Sequence, residues 1–317
     1  MAFFDLSENE LQTYKPKVRE PKDFDAFWEQ TLADSRAHSA DPVLSATDMG
    51  ISEFEVSDLR FSGYAGDEIA GWLVRPKKSK GLVIEFNGYG GGRGFPHERL
   101  WWPSAGYSYI FMDTRGQGSA WGSGGVTPDN HGSSPSANGF MTRGIESKET
   151  YYYRRVFTDA AMLVEAVKKI DAGSDELILC GGSQGGGITL AAAGLTNSAT
   201  RILPDVPFLC HFERSISLTN GFPYKEVANY LAVHRDKVDL ALETLSYFDG
   251  VNFAKRSKAK ALFSTALMDE ICPPSTVFAA KNHYSGDAEI IVYPFNGHEG
   301  GQGHHFLSQL EWLRRTQ

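Results

Sequence analysis

The chain has 317 residues, of which 41% are hydrophobic and 22% charged, and it carries a formal net charge of −8 at pH 7. That balance excludes a mostly disordered polypeptide, and the acidity, with no Lys/Arg-rich run to offset it, argues against nonspecific nucleic-acid binding or docking on an anionic membrane. No window reaches the roughly 18 to 20 apolar residues of a membrane span, and the N-terminus lacks a basic start followed by a long apolar stretch, so a cytoplasmic setting is expected unless a leader has been removed.

In chain order, Phe24, Phe27, Trp28 and Leu32 recur at helical spacing and predict an amphipathic helix packed on the main body. Phe54 to Phe61 and Ile69 to Pro76 alternate apolar and polar side chains around Gly63-Tyr-Ala-Gly66, which predicts an antiparallel hairpin. From residue 81 the pattern becomes strand, glycine-rich loop, helix. Strands are expected at Leu82 to Phe86, Tyr107 to Met112, Leu177 to Cys180, Pro207 to His211, Ala261 to Thr265 and Glu289 to Tyr293. Helices are expected at Phe157 to Ile170, Gly187 to Leu195, Ser275 to Asn282 and Phe306 to Arg315. Such alternation implies one α/β domain over residues 1–317, a mostly parallel sheet with helices on both faces and reactive loops at the carboxyl ends of the strands. Two stretches break the rhythm. Residues 116–150 are rich in Gly, Ser and Pro, and residues 212–257 read as a helical insertion between two strands. An irregular stretch of that length inside a compact domain is usually functional or interfacial.

The most informative motif is Gly181-Gly182-Ser183-Gln184-Gly185, directly after the apolar run Leu177-Ile-Leu-Cys180. A serine between glycines where a strand turns sharply into a helix is the nucleophile elbow of an α/β-hydrolase, and a Cβ at either flanking position would crowd the turn. A serine hydroxyl needs a base and an acid, which this fold supplies later in the chain in the order Ser, Asp, His. Asp269 follows the expected strand Ala261 to Thr265, and His298 follows the last strand. Glu270 competes with Asp269, and His304 and His305 compete with His298, but the latter pair falls at the start of the final helix rather than in the loop after the strand. The backbone N–H of Gln184 and that of Tyr89, in Asn87-Gly-Tyr-Gly-Gly-Gly92, are candidate oxyanion donors.

Other chemistries lack their signatures. Arg93 breaks a GxGxxG pattern and no Gly-Lys pair occurs, so nucleotide binding is not expected. His298, Glu299, His304 and His305 lack HExxH spacing and a third strong ligand, so neither a metal nor a cofactor is expected. Cys180, Cys210 and Cys272 lie far apart without CxxC spacing and read as buried thiols.

Taken together, Asp23-Phe-Asp-Ala-Phe-Trp28, Phe86-Asn-Gly-Tyr-Gly-Gly-Gly-Arg-Gly94, Arg115-Gly-Gln-Gly118, Gly139-Phe-Met-Thr-Arg-Gly-Ile145, Tyr151-Tyr-Tyr-Arg-Arg-Val-Phe157, Gly182-Ser-Gln-Gly-Gly186, Pro207-Phe-Leu-Cys-His-Phe212 and His298-Glu299 resemble the acetyl xylan esterase and cephalosporin-C deacetylase family of carbohydrate esterases. The resemblance implies deacetylation of xylooligosaccharides and small acetylated alcohols through an acetyl-serine. It also implies a homohexamer built from two trimers, with residues 116–150 at the interface, and an acyl pocket formed by Tyr89, Phe208, Pro223 and Ile271. Arg115 reads as a structural hydrogen-bond hub. Asn87 and Gly90 depart from the family, which commonly has histidine and asparagine there. A serine peptidase of the same fold would need an additional gating domain, and a catalytically silent scaffold would be expected to lack part of the triad.

Overall fold

The computed structural model describes residues 3–132, 138–170 and 176–316. Its strands are β1 (Val43–Ala46), β2 (Phe54–Ser62), β3 (Glu68–Pro76), β4 (Leu82–Phe86), β5 (Ser108–Met112), β6 (Leu177–Gly182), β7 (Arg201–Asp205), β8 (Lys260–Ala266) and β9 (Ala288–Tyr293). They form one sheet in the order β1-β2-β3-β5-β4-β6-β7-β8-β9. The first three strands run antiparallel, β3 pairs antiparallel with β5, and every pairing from β5 through β9 is parallel.

The helices are α1 (Glu8–Thr13), α2 (Phe24–Arg36), α3 (Trp101–Ser104), α4 (Tyr152–Ala166), α5 (Gln184–Thr196), α6 (Phe212–Leu218), α7 (Tyr224–Val233), α8 (Val238–Ser246), α9 (Gly250–Ala254), α10 (Pro274–His283) and α11 (Gln302–Arg315). Strand alternation sorts side chains into two cores on opposite sides of the sheet. Leu82, Ile84, Phe86, Ile110, Met112 and Leu179 enter the larger one with Trp28, Phe157 and Ile188. Val83, Tyr109, Phe111, Ile178 and Cys180 enter the second, capped by Trp102 of α3 and by Trp312 and Leu313 of α11. No described helix is long and apolar enough to cross a membrane.

Two expectations are corrected. Pro207 to His211 is not a strand; the strand lies earlier, at Arg201–Asp205. Val206, Leu209 and His211 all have positive φ, of 36°, 65° and 48°, so the backbone coils there. The run is apolar because it is buried: Phe208, Leu209 and Cys210 are fully enclosed. Pro204 and Arg201, poor strand residues by composition, masked the true strand. The helix expected at Phe157 begins earlier, at Tyr152, and ends in a 3₁₀ turn over Val167–Lys169. The insertion after β7 folds as α6 to α9 and brings Tyr224 of α7 against Phe208, with ring centroids 4.2 Å apart.

Candidate active site

Ser183 caps α5 directly after β6 with φ 55° and ψ −119°, a conformation unfavourable for a residue with a Cβ. Three hydrogen bonds hold it there: Ser183 N–H donates to Asp205 O at 2.9 Å, and Ser183 O accepts from the N–H groups of Phe208 at 2.9 Å and Gly187 at 3.2 Å. The glycines give the turn its closeness. A Cβ on Gly185 would fall 2.1 Å from Phe86 O, and one on Gly181 would fall 2.6 Å from the Gly185 carbonyl carbon. Gly182 departs from the expected crowding, since its Cβ would meet nothing nearer than Asp205 Oδ2 at 3.9 Å.

His298, in the loop after β9, places Nε2 3.0 Å from Ser183 Oγ and Nδ1 2.9 Å from Asp269 Oδ2. Asp269 is completely buried past the end of β8, and its Oδ1 accepts the N–H groups of Ile271 and Cys272, both at 2.8 Å. Because those amides claim Oδ1, Oδ2 is the oxygen offered to the imidazole. The carboxylate therefore selects the tautomer with hydrogen on Nδ1 and a lone pair on Nε2 facing the serine. Glu270 is exposed, and His304 and His305 lie in α11.

Among the described residues, the one cluster with metal-ligand spacing is Asp269, Cys272 and His298, two of which belong to the Ser–His–Asp array. Burial pushes the Cys272 thiol well above its ordinary range.

Gln184 is the first residue of α5, so its N–H lies ahead of the intrahelical ladder. Tyr89 N–H meets no protein acceptor among the described residues. The loop carrying Tyr89 is braced from several sides. Gln117 Oε1 accepts from Gly90 N–H at 2.7 Å, Gln117 Nε2 donates to Gln184 Oε1 at 2.8 Å, and Gln184 Nε2 donates to Asn87 O at 3.2 Å. Trp121 Nε1 donates to Tyr89 O at 2.7 Å. The Tyr89 hydroxyl bonds Glu226 of α7 and accepts Phe140 N–H at 2.8 Å. Asn87 is buried, with Nδ2 donating to Gly92 O at 2.9 Å. Gly90 has φ 81°, and a Cβ there would fall 2.6 Å from Asn138 Oδ1, which accounts for glycine at this place.

A cavity of about 360 Å³ opens over Ser183 and His298. Tyr89, Pro223 and Ile271 line it together with Gly88, and Trp121 and Phe222 stand at its exposed rim. Phe208 does not line it: the ring is fully buried, edge-on to Tyr89 at 6.2 Å, and supports that wall from behind. Arg115 is a buried hub, with Nε donating to Asp159 Oδ2 at 2.6 Å and Nη1 to Asp67 Oδ2 at 2.8 Å.

A mostly parallel sheet with a Ser–His–Asp array at its carboxyl edge defines the protein as an α/β-hydrolase. The model of one family, Acetyl xylan esterase (AXE1), matches residues 1–316. The fold of acetyl xylan esterase from Paenibacillus sp. R4 superimposes with a TM-score of 0.90 at 36% identity, covering 98% of this chain and 99% of that one. Acetyl xylan esterase 1 from Thermoanaerobacterium sp. JW/SL YS485 gives 0.87 at 32%, covering 97% and 99%. Acetyl esterase Axe7A of Xylanibacter ruminicola is 23% identical over 312 residues, 95% of this chain and 68% of that protein. The chain belongs to the acetyl xylan esterase family and is an acetylesterase.

Proposed function

We propose that the enzyme removes O-acetyl groups from xylooligosaccharides and from small acetylated alcohols such as cephalosporin C, through an acetyl-serine. The observation that carries this reading is the continuous chain from Asp269 through His298 to Ser183, at 2.9 and 3.0 Å, opening into a cavity of about 360 Å³. Ser183 Oγ attacks the acetyl carbon as its proton passes to His298 Nε2. The Gln184 and Tyr89 amides bind the developing oxyanion, each such donor being worth about 3 kcal/mol. Collapse breaks the bond to the sugar oxygen, which leaves with the proton from His298. Water, deprotonated by the same imidazole, then attacks the acetyl-serine; the bond to Ser183 Oγ breaks, Oγ takes the proton back from His298, and acetate departs. Tyr89, Pro223 and Ile271 line the cavity beside Ser183 and form the wall against which the acetyl methyl would rest.

The three buried free cysteines fit a cytoplasmic setting. Exposed Trp121 and Val126 fit a role for residues 116–150 in a hexamer of two trimers, an assembly whose interior would admit oligosaccharides and exclude polymer.

Acetate release from acetylated xylooligosaccharides, beside Ser183→Ala and a butyryl ester, tests the chemistry. Loss of release in the variant and poor butyrate turnover are expected; turnover of aryl acetates without release from sugars would remove the carbohydrate assignment. Light scattering of the eluting protein tests the hexamer, and equal rates on intact xylan and oligomers would overturn the enclosed arrangement.

A further inference from the structure

A second cavity, of about 540 Å³, lies on the other side of the sheet, between the strand ends and helices α3 and α11. Its size is within the roughly 300 to 1,000 Å³ typical of small-ligand sites. Gly181 and Gly182 border it, so it backs onto the peptide that precedes Ser183. Nothing in the proposed mechanism uses it.

Two side chains one turn apart on α11 line this space with polar atoms that no protein group satisfies. Gln309 is only 7% exposed, yet its amide bonds to no protein group among the described residues. His305 is 2% exposed; Nδ1 meets the Tyr293 hydroxyl at 3.0 Å, while Nε2 is unpaired, 3.8 Å from Asp205 Oδ1. Leaving the buried His305 Nε2 unpaired costs about 1 to 3 kcal/mol, which a ligand that bonds it would relieve, while the Gln309 amide is open to the solvent of the cavity. An amide and a neutral imidazole beside a carboxylate offer both donors and acceptors, the complement of a hydroxyl. Burial pushes the His305 imidazole below its usual range and keeps it neutral.

The rest of the lining narrows the ligand. Glu85, Glu98 and Asp205 face a single guanidinium, Arg99, which is already paired with Glu85 at 3.2 Å. Phosphates and carboxylates are therefore disfavoured. The acidic groups do not converge on a cation either, since the one cluster with metal-ligand spacing among the described residues lies at the triad. Trp101 is 54% exposed, lines the same cavity and packs at 75° to Phe306, with ring centroids 5.1 Å apart, so an indole borders the polar groups. An aromatic face beside hydroxyl-matching groups suits a pyranose, whose C–H face is apolar and whose rim carries hydroxyls.

We propose that this cavity binds a neutral pyranose sugar at a site separate from the one that holds the ester being cleaved. Calorimetric titration with unacetylated xylobiose tests it, with glucose 6-phosphate as the anionic comparison. Saturable xylobiose binding is expected, weakened about tenfold by the surface variant Trp101→Ala and similarly by Gln309→Leu, with aryl-acetate turnover retained in Trp101→Ala. Phe222→Ala, at the rim of the other cavity, is expected to leave it unchanged. The proposal is overturned if xylobiose shows no saturable binding, if Phe222→Ala weakens it while Trp101→Ala does not, or if the phosphorylated sugar binds better.

Discussion

The Tyr89 hydroxyl lies 2.8 and 2.7 Å from the two carboxylate oxygens of Glu226, 137 residues further along the chain. Glu226 also accepts the N–H groups of Gly139 and Met141, both at 3.1 Å, so α7, residues 139–141 and the loop carrying Tyr89 meet at one carboxylate. Tyr89→Phe removes that tie without touching the backbone donor. We expect kcat/KM for an aryl acetate to fall about 10- to 100-fold with little change in thermal stability, because small misplacements of catalytic groups carry large rate costs. Glu226→Gln keeps one acceptor but sets its NH₂ against the N–H of Gly139 or Met141, so a loss in the same direction is expected. Steady-state kinetics on both variants decide it, and an unimpaired Tyr89→Phe would show that the tie does not position the donor.

Asp269→Asn should be far more damaging than its size suggests. The amides of Ile271 and Cys272 hold the Oδ1 position to an acceptor, which turns the new NH₂ toward His298 Nδ1. The imidazole must then carry its hydrogen on Nε2, facing Ser183, where it cannot accept a proton. A loss of about 10³- to 10⁴-fold in kcat is expected with a folded protein, measured by kinetics alongside circular dichroism.

The two glycines on either side of the elbow differ from the one next to the serine. Gly185→Ala would drive a Cβ to 2.1 Å from Phe86 O, whereas Gly182→Ala has space to 3.9 Å. The first should lose about 3 kcal/mol or more, the second under about 1. Urea unfolding of the pair would refute the contact argument if the order were reversed.

His211 gives the fold an acid limit. Burial, followed by the nearby Arg214 cation, lowers its pKa from 6.5 to about 4. Between those values the unfolded chain binds a proton that the native protein refuses, so stability is fully present above pH 6.5 and declines as the pH falls toward 4. The loss is at most about 3 kcal/mol. His211→Asn, which tolerates the φ of 48°, should lose less stability over that interval. Parallel melting curves for wild type and variant would contradict the assignment if both declined equally.

The array was legible in the sequence because each member follows an apolar strand and the fold dictates their order. Ser183 needed only the run Leu177 to Cys180 and its glycines to be found. The cavity walls were legible in part: Tyr89, Pro223 and Ile271 line it as the family resemblance implied, whereas its rim and bracing were not. Trp121 and Phe222 sit in loops without periodicity, and Gln117 and Glu226 act through contacts with residues far away in the chain. Phe208 was assigned to the pocket itself, yet it supports Tyr89 from behind, a difference of one layer of packing that no sequence pattern encodes. β7 escaped because Pro204 and Arg201 imitate a loop, while the buried coil after it imitates a strand.

The alternation of β6 also sets a reading frame for the enzyme. Ile178 and Cys180 belong to one core and Leu179 to the other, and Ser183 stands one residue past the strand's end. Deleting any one residue between 177 and 182 would swap the two faces and withdraw the hydroxyl from His298 in the same stroke. The strand that leads into Ser183 therefore tolerates no change of length, even at positions where a different side chain would fit.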